Sequence, residues 1–225
     1  ESQNNIYTKK INRDFLNQLS KDSKWSFQSN IFGALIMNLD KFIISSIVSP
    51  AAFTLYGSTV DIALRVLLIP ASFSNVIIPK ISMSISSKKN YTRNQKFHLT
   101  SIIISIIVFL IIFFFSNSIF SLIFSKDFAS RSGPIINIVS FGVLFSSLAF
   151  YPFSYLSSLS KFSILAKIYL LELIVFMCCI FFTTVNYGII GAAYSWIFRS
   201  FLDLILMYYF YFKILRLKNK KGNYI

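Results

Sequence analysis

The run from Phe53 to Pro79, FTLYGSTVDIALRVLLIPASFSNVIIP, constrains this chain more than any other stretch, because it sets Asp61 and Arg65 inside an otherwise apolar segment. At about 1.5 Å per residue, its 27 residues reach across a hydrocarbon core about 30 Å thick even when tilted. We read it as a transmembrane helix. With about 100° between successive residues, Thr54, Ser58, Asp61, Arg65 and Ser72 form one stripe, with Asn75 at its margin. Lipid offers no hydrogen-bond partner, so such a stripe must face other helices or a wet cavity. Pro70 lacks the N–H that would continue the ladder and is the expected kink or hinge beside that cavity.

The rest of the chain agrees with a membrane setting. It is 55% hydrophobic and only 13% charged, with a mean hydropathy of +0.65, which is too apolar for a soluble domain of 225 residues. The net charge of +14 would suit nucleic acid, but such binders gather Lys and Arg on a water-facing module without a row of apolar spans. Nucleic acid is therefore not an expected partner. Cys178 and Cys179 are neighbours in one apolar run and give neither a disulfide framework nor a zinc pattern, and His98 has no second ligand nearby. No phosphate loop, HExxH pattern or GxSxG elbow occurs, so neither an enzyme, a metal nor a cofactor is expected. The chain opens on Glu1, without a visible signal peptide, and reads as part of something longer.

The sequence predicts an all-α polytopic membrane protein of six spans, at about 25–48, 53–79, 99–123, 134–155, 164–186 and 189–212. Residues 1–24 form an amphipathic basic segment, with Ile11, Phe15, Leu16 and Leu19 on one helical face, and 213–225 form a basic tail. The third and fourth spans carry no charge, and the apolar residues of the third are spread around its helix, as suits a lipid-facing element. Lys and Arg number 17 in the N-terminal segment, the 80–98 loop, the region between spans four and five, and the tail. The opposite connections hold 2, so both termini are expected in the cytoplasm.

Seven ionisable residues remain within the spans: Asp40, Lys41, Asp61, Arg65, Glu172, Arg199 and Asp203. Facing lipid, each would cost roughly 2.5 to 3.5 kcal/mol on an insertion scale. One reading is structural, with Asp61 and Arg65, and Arg199 and Asp203, neutralising each other as i, i+4 pairs. The other is a shared cavity for a polar or anionic substrate, since apolar residues would pack the spans without any desolvation cost. Charge gathered on spans one, two, five and six favours the cavity.

Several stretches together resemble the carboxy-terminal half of the O-antigen and polysaccharide flippases, in the superfamily that includes multidrug and toxin extrusion transporters. These are Asn38-Leu39-Asp40-Lys41-Phe42-Ile43-Ile44, then Tyr56 and Pro79, then Phe124-Ser125-Lys126-Asp127-Phe128, and finally Tyr187-Gly188-Ile189-Ile190-Gly191-Ala192-Ala193. The resemblance implies one six-helix bundle of a twelve-or-more-helix transporter in the bacterial inner membrane, acting by alternating access. It implies an undecaprenyl-pyrophosphate-linked oligosaccharide as substrate, for O-antigen, lipopolysaccharide or capsule assembly. Membrane lipids, an amino-terminal half, a glycan polymerase, and a proton or sodium as coupling ion are the implied partners. By position, Lys41, Arg65 and Arg199, with Asn38 and Ser58, would bind the anion or sugar, and Asp40, Asp61, Glu172 and Asp203 would couple or pair with the cations. Lys41 stands where the family commonly has Arg, a point charge in place of a bidentate fork. A multidrug exporter of the same superfamily and a non-transporting scaffold for glycan assembly are the alternatives.

Overall fold

The computed structural model describes residues 13–84 and 91–220; expectations for 1–12, for 85–90 within the basic 80–98 loop, and for 221–225 fall outside them. Every element among the described residues is a helix, in the order α1 (Arg13–Ile47), α2 (Pro50–Val66), α3 (Leu68–Ser84), α4 (Tyr91–Ile123), α5 (Lys126–Ser158) and α6 (Phe162–Lys220). Five helical stretches are long and apolar enough to cross a membrane, with α2 and α3 together making one of them. This is a multi-pass membrane protein.

Helix ends sit where the sequence supplies caps. Ser49 is the N-cap of α2, its hydroxyl accepting from the Ala52 N–H at 3.4 Å, and Pro50 follows in the first turn, where its missing N–H costs nothing. Ser125 caps α5 in the same way at 3.2 Å, with Asp127 in the positive first turn. The α5–α6 corner turns through Ser160, at φ 53°. Helix α1 runs through Trp25 without a break, so the segment before the first expected span and the span itself are one continuous helix. The expected second span is interrupted at Leu67, three residues before Pro70, where the ladder loses the bond from position 70 to the Val66 carbonyl.

Helix α6 is 59 residues long but does not run straight. Gly188 has φ 59° and ψ −144°, a backbone region open essentially to glycine alone. Thr183 and Ser195, which would be about 18 Å apart along a straight helix, have their hydroxyls 2.6 Å apart. The chain therefore doubles back, giving a first arm (162–187) and a second arm (189–220) that lie against each other. Gly191 is needed for that approach, because a Cβ there would sit 2.1 Å from the Thr183 carbonyl oxygen.

Helix α5 is the centre of the bundle, packed against α2, α3, α4 and α6, while α1 lies mainly on α6. Half of the apolar window of α5 is buried, against 17% for α1. The main core joins Tyr56, Val60 and Ala63 of α2, Ile136, Val139 and Val143 of α5, and Trp196 of the second arm. Helix α4 presents Ile103, Ile106, Leu110, Phe114 and Phe115 outward, an all-apolar face suited to acyl chains. At one end His98 stacks on Tyr151, with ring centroids 4.4 Å apart, and its Nε2 lies 2.7 Å from the Tyr208 hydroxyl, tying α4 to α5 and α6.

Candidate functional site

The intramembrane charges divide into two groups. The buried group is built by α1 and the two arms of α6. Arg199 is 5% exposed, Asp40 2% and Glu172 1%. The Arg199 guanidinium lies over the rings of Phe176 and Trp196, 5.6 and 5.4 Å from their centroids, and donates to the Ser200 hydroxyl at 3.3 Å. Ser146 of α5 in turn donates to Ser200 at 3.1 Å. The charge of Arg199 acts on the carboxyl groups of Asp40, Glu172 and Asp203, so three acids share one guanidinium. Asp40 accepts from its neighbour's backbone N–H at 2.8 Å and from the Tyr56 hydroxyl at 3.3 Å. Glu172 and Asp203 face each other across the two arms and hydrogen-bond to one another, and no other group donates to Glu172 or to Asp203 Oδ1. Arg199 Nε is likewise without an acceptor.

A cavity of about 300 Å³ lies against this cluster. Glu172, Arg199 and Asp203 contribute its polar wall, with Ser29 and Asn30 of α1 and Ser146 of α5. Phe150, Phe153 and Tyr169 supply aromatic surface. Asn30, Ala34 and Met37 of α1 line it and are also exposed, so the cavity opens toward the outer side of α1.

The second group is on the outer surface. Lys41 Nζ lies 2.6 Å from Asp61 Oδ1, joining α1 to α2, with the two side chains 28% and 48% exposed. Asp61 thus turns across to Lys41, and the along-helix pair with Arg65 does not form, because the α1 ammonium reaches the same carboxylate from the neighbouring helix. Arg65 is exposed. With it Thr54, Ser72 and Asn75 are exposed on α2 and α3, Asn38 and Ser45 on α1, while Ser58 is half-buried. Several of these side chains fall back on their own helix carbonyls, as Asn38 does on Ala34 at 2.8 Å and Thr54 on Pro50 at 2.9 Å.

The sequence reading therefore named seven charges as one set, whereas the fold separates Lys41, Asp61 and Arg65 from Asp40, Glu172, Arg199 and Asp203. It overlooked Tyr169, Trp196 and Ser146. Tyr169 and Trp196 each precede a buried charge by three residues, a spacing that puts them on the same helical face. Ser146 carried no comparable signal.

Two relatives share most of this chain. A Shigella flexneri protein named as an O-antigen transporter is 30% identical over 188 residues, 83% of the chain. The chain resembles part of an O-antigen transporter. The capsular polysaccharide biosynthesis protein CapF of Staphylococcus aureus is 23% identical over 189 residues, again 83% of the chain. The chain spans just under half the length of each, 45% and 48%. No protein-family description and no solved structure matches it. The resemblance drawn from the Asn38–Ile44, Phe124–Phe128 and Tyr187–Ala193 stretches to the O-antigen and polysaccharide flippases is borne out by these relatives.

Proposed function

We propose that this chain is the carboxy-terminal bundle of a bacterial inner-membrane flippase that moves an undecaprenyl-pyrophosphate-linked oligosaccharide between leaflets by alternating access. The observation that carries the reading is the outward polar stripe on α1, α2 and α3, with Arg65, Asn38, Ser72 and Asn75 exposed on helices otherwise fit for lipid. Such a face borders acyl chains at a cost, since Arg65 would keep its charge there, whereas Asn38 and Ser72 are bonded to carbonyls of their own helices. It suits one wall of a wet passage whose other wall is a second bundle, in keeping with relatives about twice as long.

The reversal at Gly188 supports a reading of α6 as two crossings and of the chain as six, and the Lys and Arg bias favours both termini in the cytoplasm. Lys41 and Arg65 on the open face would meet the pyrophosphate, assisted by Asn38 and Ser58. Arg199, held among Asp40, Glu172 and Asp203, would organise those acids, with a proton or sodium as coupling ion. Pro70, beside the break at Leu67, would serve as the hinge as the wall rocks. A glycan polymerase would be a neighbour in the membrane.

Proteoliposomes carrying a labelled lipid-linked oligosaccharide test the reading, with this chain reconstituted together with the amino-terminal bundle of the Shigella flexneri relative. The labelled headgroup should become accessible from the opposite side faster than in protein-free vesicles, and Lys41→Gln with Arg65→Gln should slow it. No acceleration over protein-free vesicles overturns the proposal. The acid-rich aromatic cavity favours one other reading, export of organic cations. Ethidium accumulation in the same vesicles without headgroup movement would establish that instead.

A further inference from the structure

We propose that the outer face of the first arm of α6 binds one anionic phospholipid, with its phosphate on Lys167 and an acyl chain in the groove that runs from there to Val175. The inference goes beyond the flippase reading and rests only on the membrane setting. A groove of about 270 Å³ is lined by Lys167, Leu170, Leu171, Ile174 and Val175. These stand at i, i+3, i+4, i+7 and i+8, so they share one helical face. Lys167, Leu171 and Val175 form one ridge of that face and Leu170 and Ile174 the next, with the groove between them. The face looks outward, since Lys167, Leu170, Leu171 and Ile174 are all exposed. It extends about 12 Å along the helix, and Lys167, at its end nearer the α5–α6 corner, is the charged residue in its lining.

Charge complementarity selects the occupant. Lys167 lies about 8 Å along the helix from its start at Phe162, near enough for the four-carbon stem to carry the ammonium to headgroup depth while the stem stays on apolar surface. Lys161 stands at the same corner, and residues 157–171 contain no Asp or Glu. The next acid in the chain, Glu172, is buried and faces the second arm, so it does not neutralise Lys167. A phosphodiester meets the ammonium, and the apolar ridges beyond it take an acyl chain that needs no hydrogen bond. A zwitterionic headgroup brings an ammonium of its own toward Lys161 and Lys167, which favours the anionic lipid. A neighbouring apolar helix in the groove would leave the Lys167 ammonium without a partner.

Native mass spectrometry tests the site on the full 225-residue chain, first incorporated into vesicles of equal parts phosphatidylglycerol and phosphatidylcholine and then extracted in mild detergent. One phosphatidylglycerol should be retained per chain in preference to phosphatidylcholine. A lysine beside an anionic headgroup contributes about fivefold to binding, so Lys167→Gln should lower retention by about that factor, and Lys167→Arg should preserve it. Ile174→Trp fills the groove from an exposed position where folding is little disturbed, and should remove the lipid although every charge is kept. Lys213→Gln, on the second arm with its ammonium over the Tyr209 and Phe210 rings, should leave retention unchanged. Glycerol 3-phosphate in large excess should not displace the lipid, because the chain in the groove holds it. Helical circular dichroism shows that each variant compared is folded. Equal retention of the two lipids, equal losses in Lys167→Gln and Lys213→Gln, no loss in Ile174→Trp, displacement by glycerol 3-phosphate, or a protein dimer in place of the lipid adduct overturns the site. Lipid retention is read without any transport, so this site and the flippase reading can each fail alone.

Discussion

Replacing Arg199 by Met removes the positive charge around which the buried layer is arranged while keeping much of the side-chain length. Arg199 is 5% exposed, stacked between Phe176 and Trp196, and acts on Asp40, Glu172 and Asp203. Breaking a buried charge arrangement by deleting one partner costs about 3 to 5 kcal/mol, because the other charges stay buried without compensation. The lost cation–ring contacts add roughly 0.5 to 2 kcal/mol, part of which the methionine sulfur recovers against the same rings. We expect Arg199→Met to destabilise the bundle by about 4 kcal/mol. Unfolding by SDS in mixed micelles, followed by Trp196 emission and helical circular dichroism, measures it. Glu172→Gln alone should cost less than about 1 kcal/mol, since it removes one of three acids crowding one guanidinium and no donor is lost. The double variant Arg199→Met/Glu172→Gln should then recover at least about 1 kcal/mol relative to the sum of the singles, as interacting sites do. Additivity within about 0.5 kcal/mol would refute the claim that these residues form one electrostatic unit.

Three further outcomes follow from the geometry. Gly188→Ala forces a side chain into the φ 59°, ψ −144° conformation and should destabilise the reversal by about 1 to 3 kcal/mol; a Thr183→Cys/Ser195→Cys pair in a background with Cys178 and Cys179 replaced should then crosslink less efficiently. Gly142→Ala places a methyl 2.3 Å from the Trp196 indole and should cost about 1 to 3 kcal/mol, with a shift in Trp196 emission as the ring is displaced. Lys41→Ala, by contrast, should change stability in SDS unfolding by less than about 1 kcal/mol, because its partner Asp61 is half exposed and retains access to polar surroundings.

The division of the charges shows what each level of description decides. The sequence by itself determined the helical, membrane-spanning character, the polar stripe through Thr54, Ser58, Asp61, Arg65 and Ser72, and the charge-free stretch 99–123 of α4, since these follow from length, hydropathy and the period of the helix. It also named Glu172, Arg199 and Asp203, because charge in an apolar run is conspicuous wherever it points. Only the tertiary structure decided that Lys41 takes Asp61 away from Arg65, that Asp40 turns inward to Tyr56, and that Glu172 meets Asp203 across the reversal at Gly188. The physical reason is that a helix fixes the angle between its own residues but not which neighbouring helix lies on each side. The depth at which the two arms of α6 align is set by a single glycine torsion and by the close approach at Gly191, while the indole packed on Gly142 seats the second arm on α5.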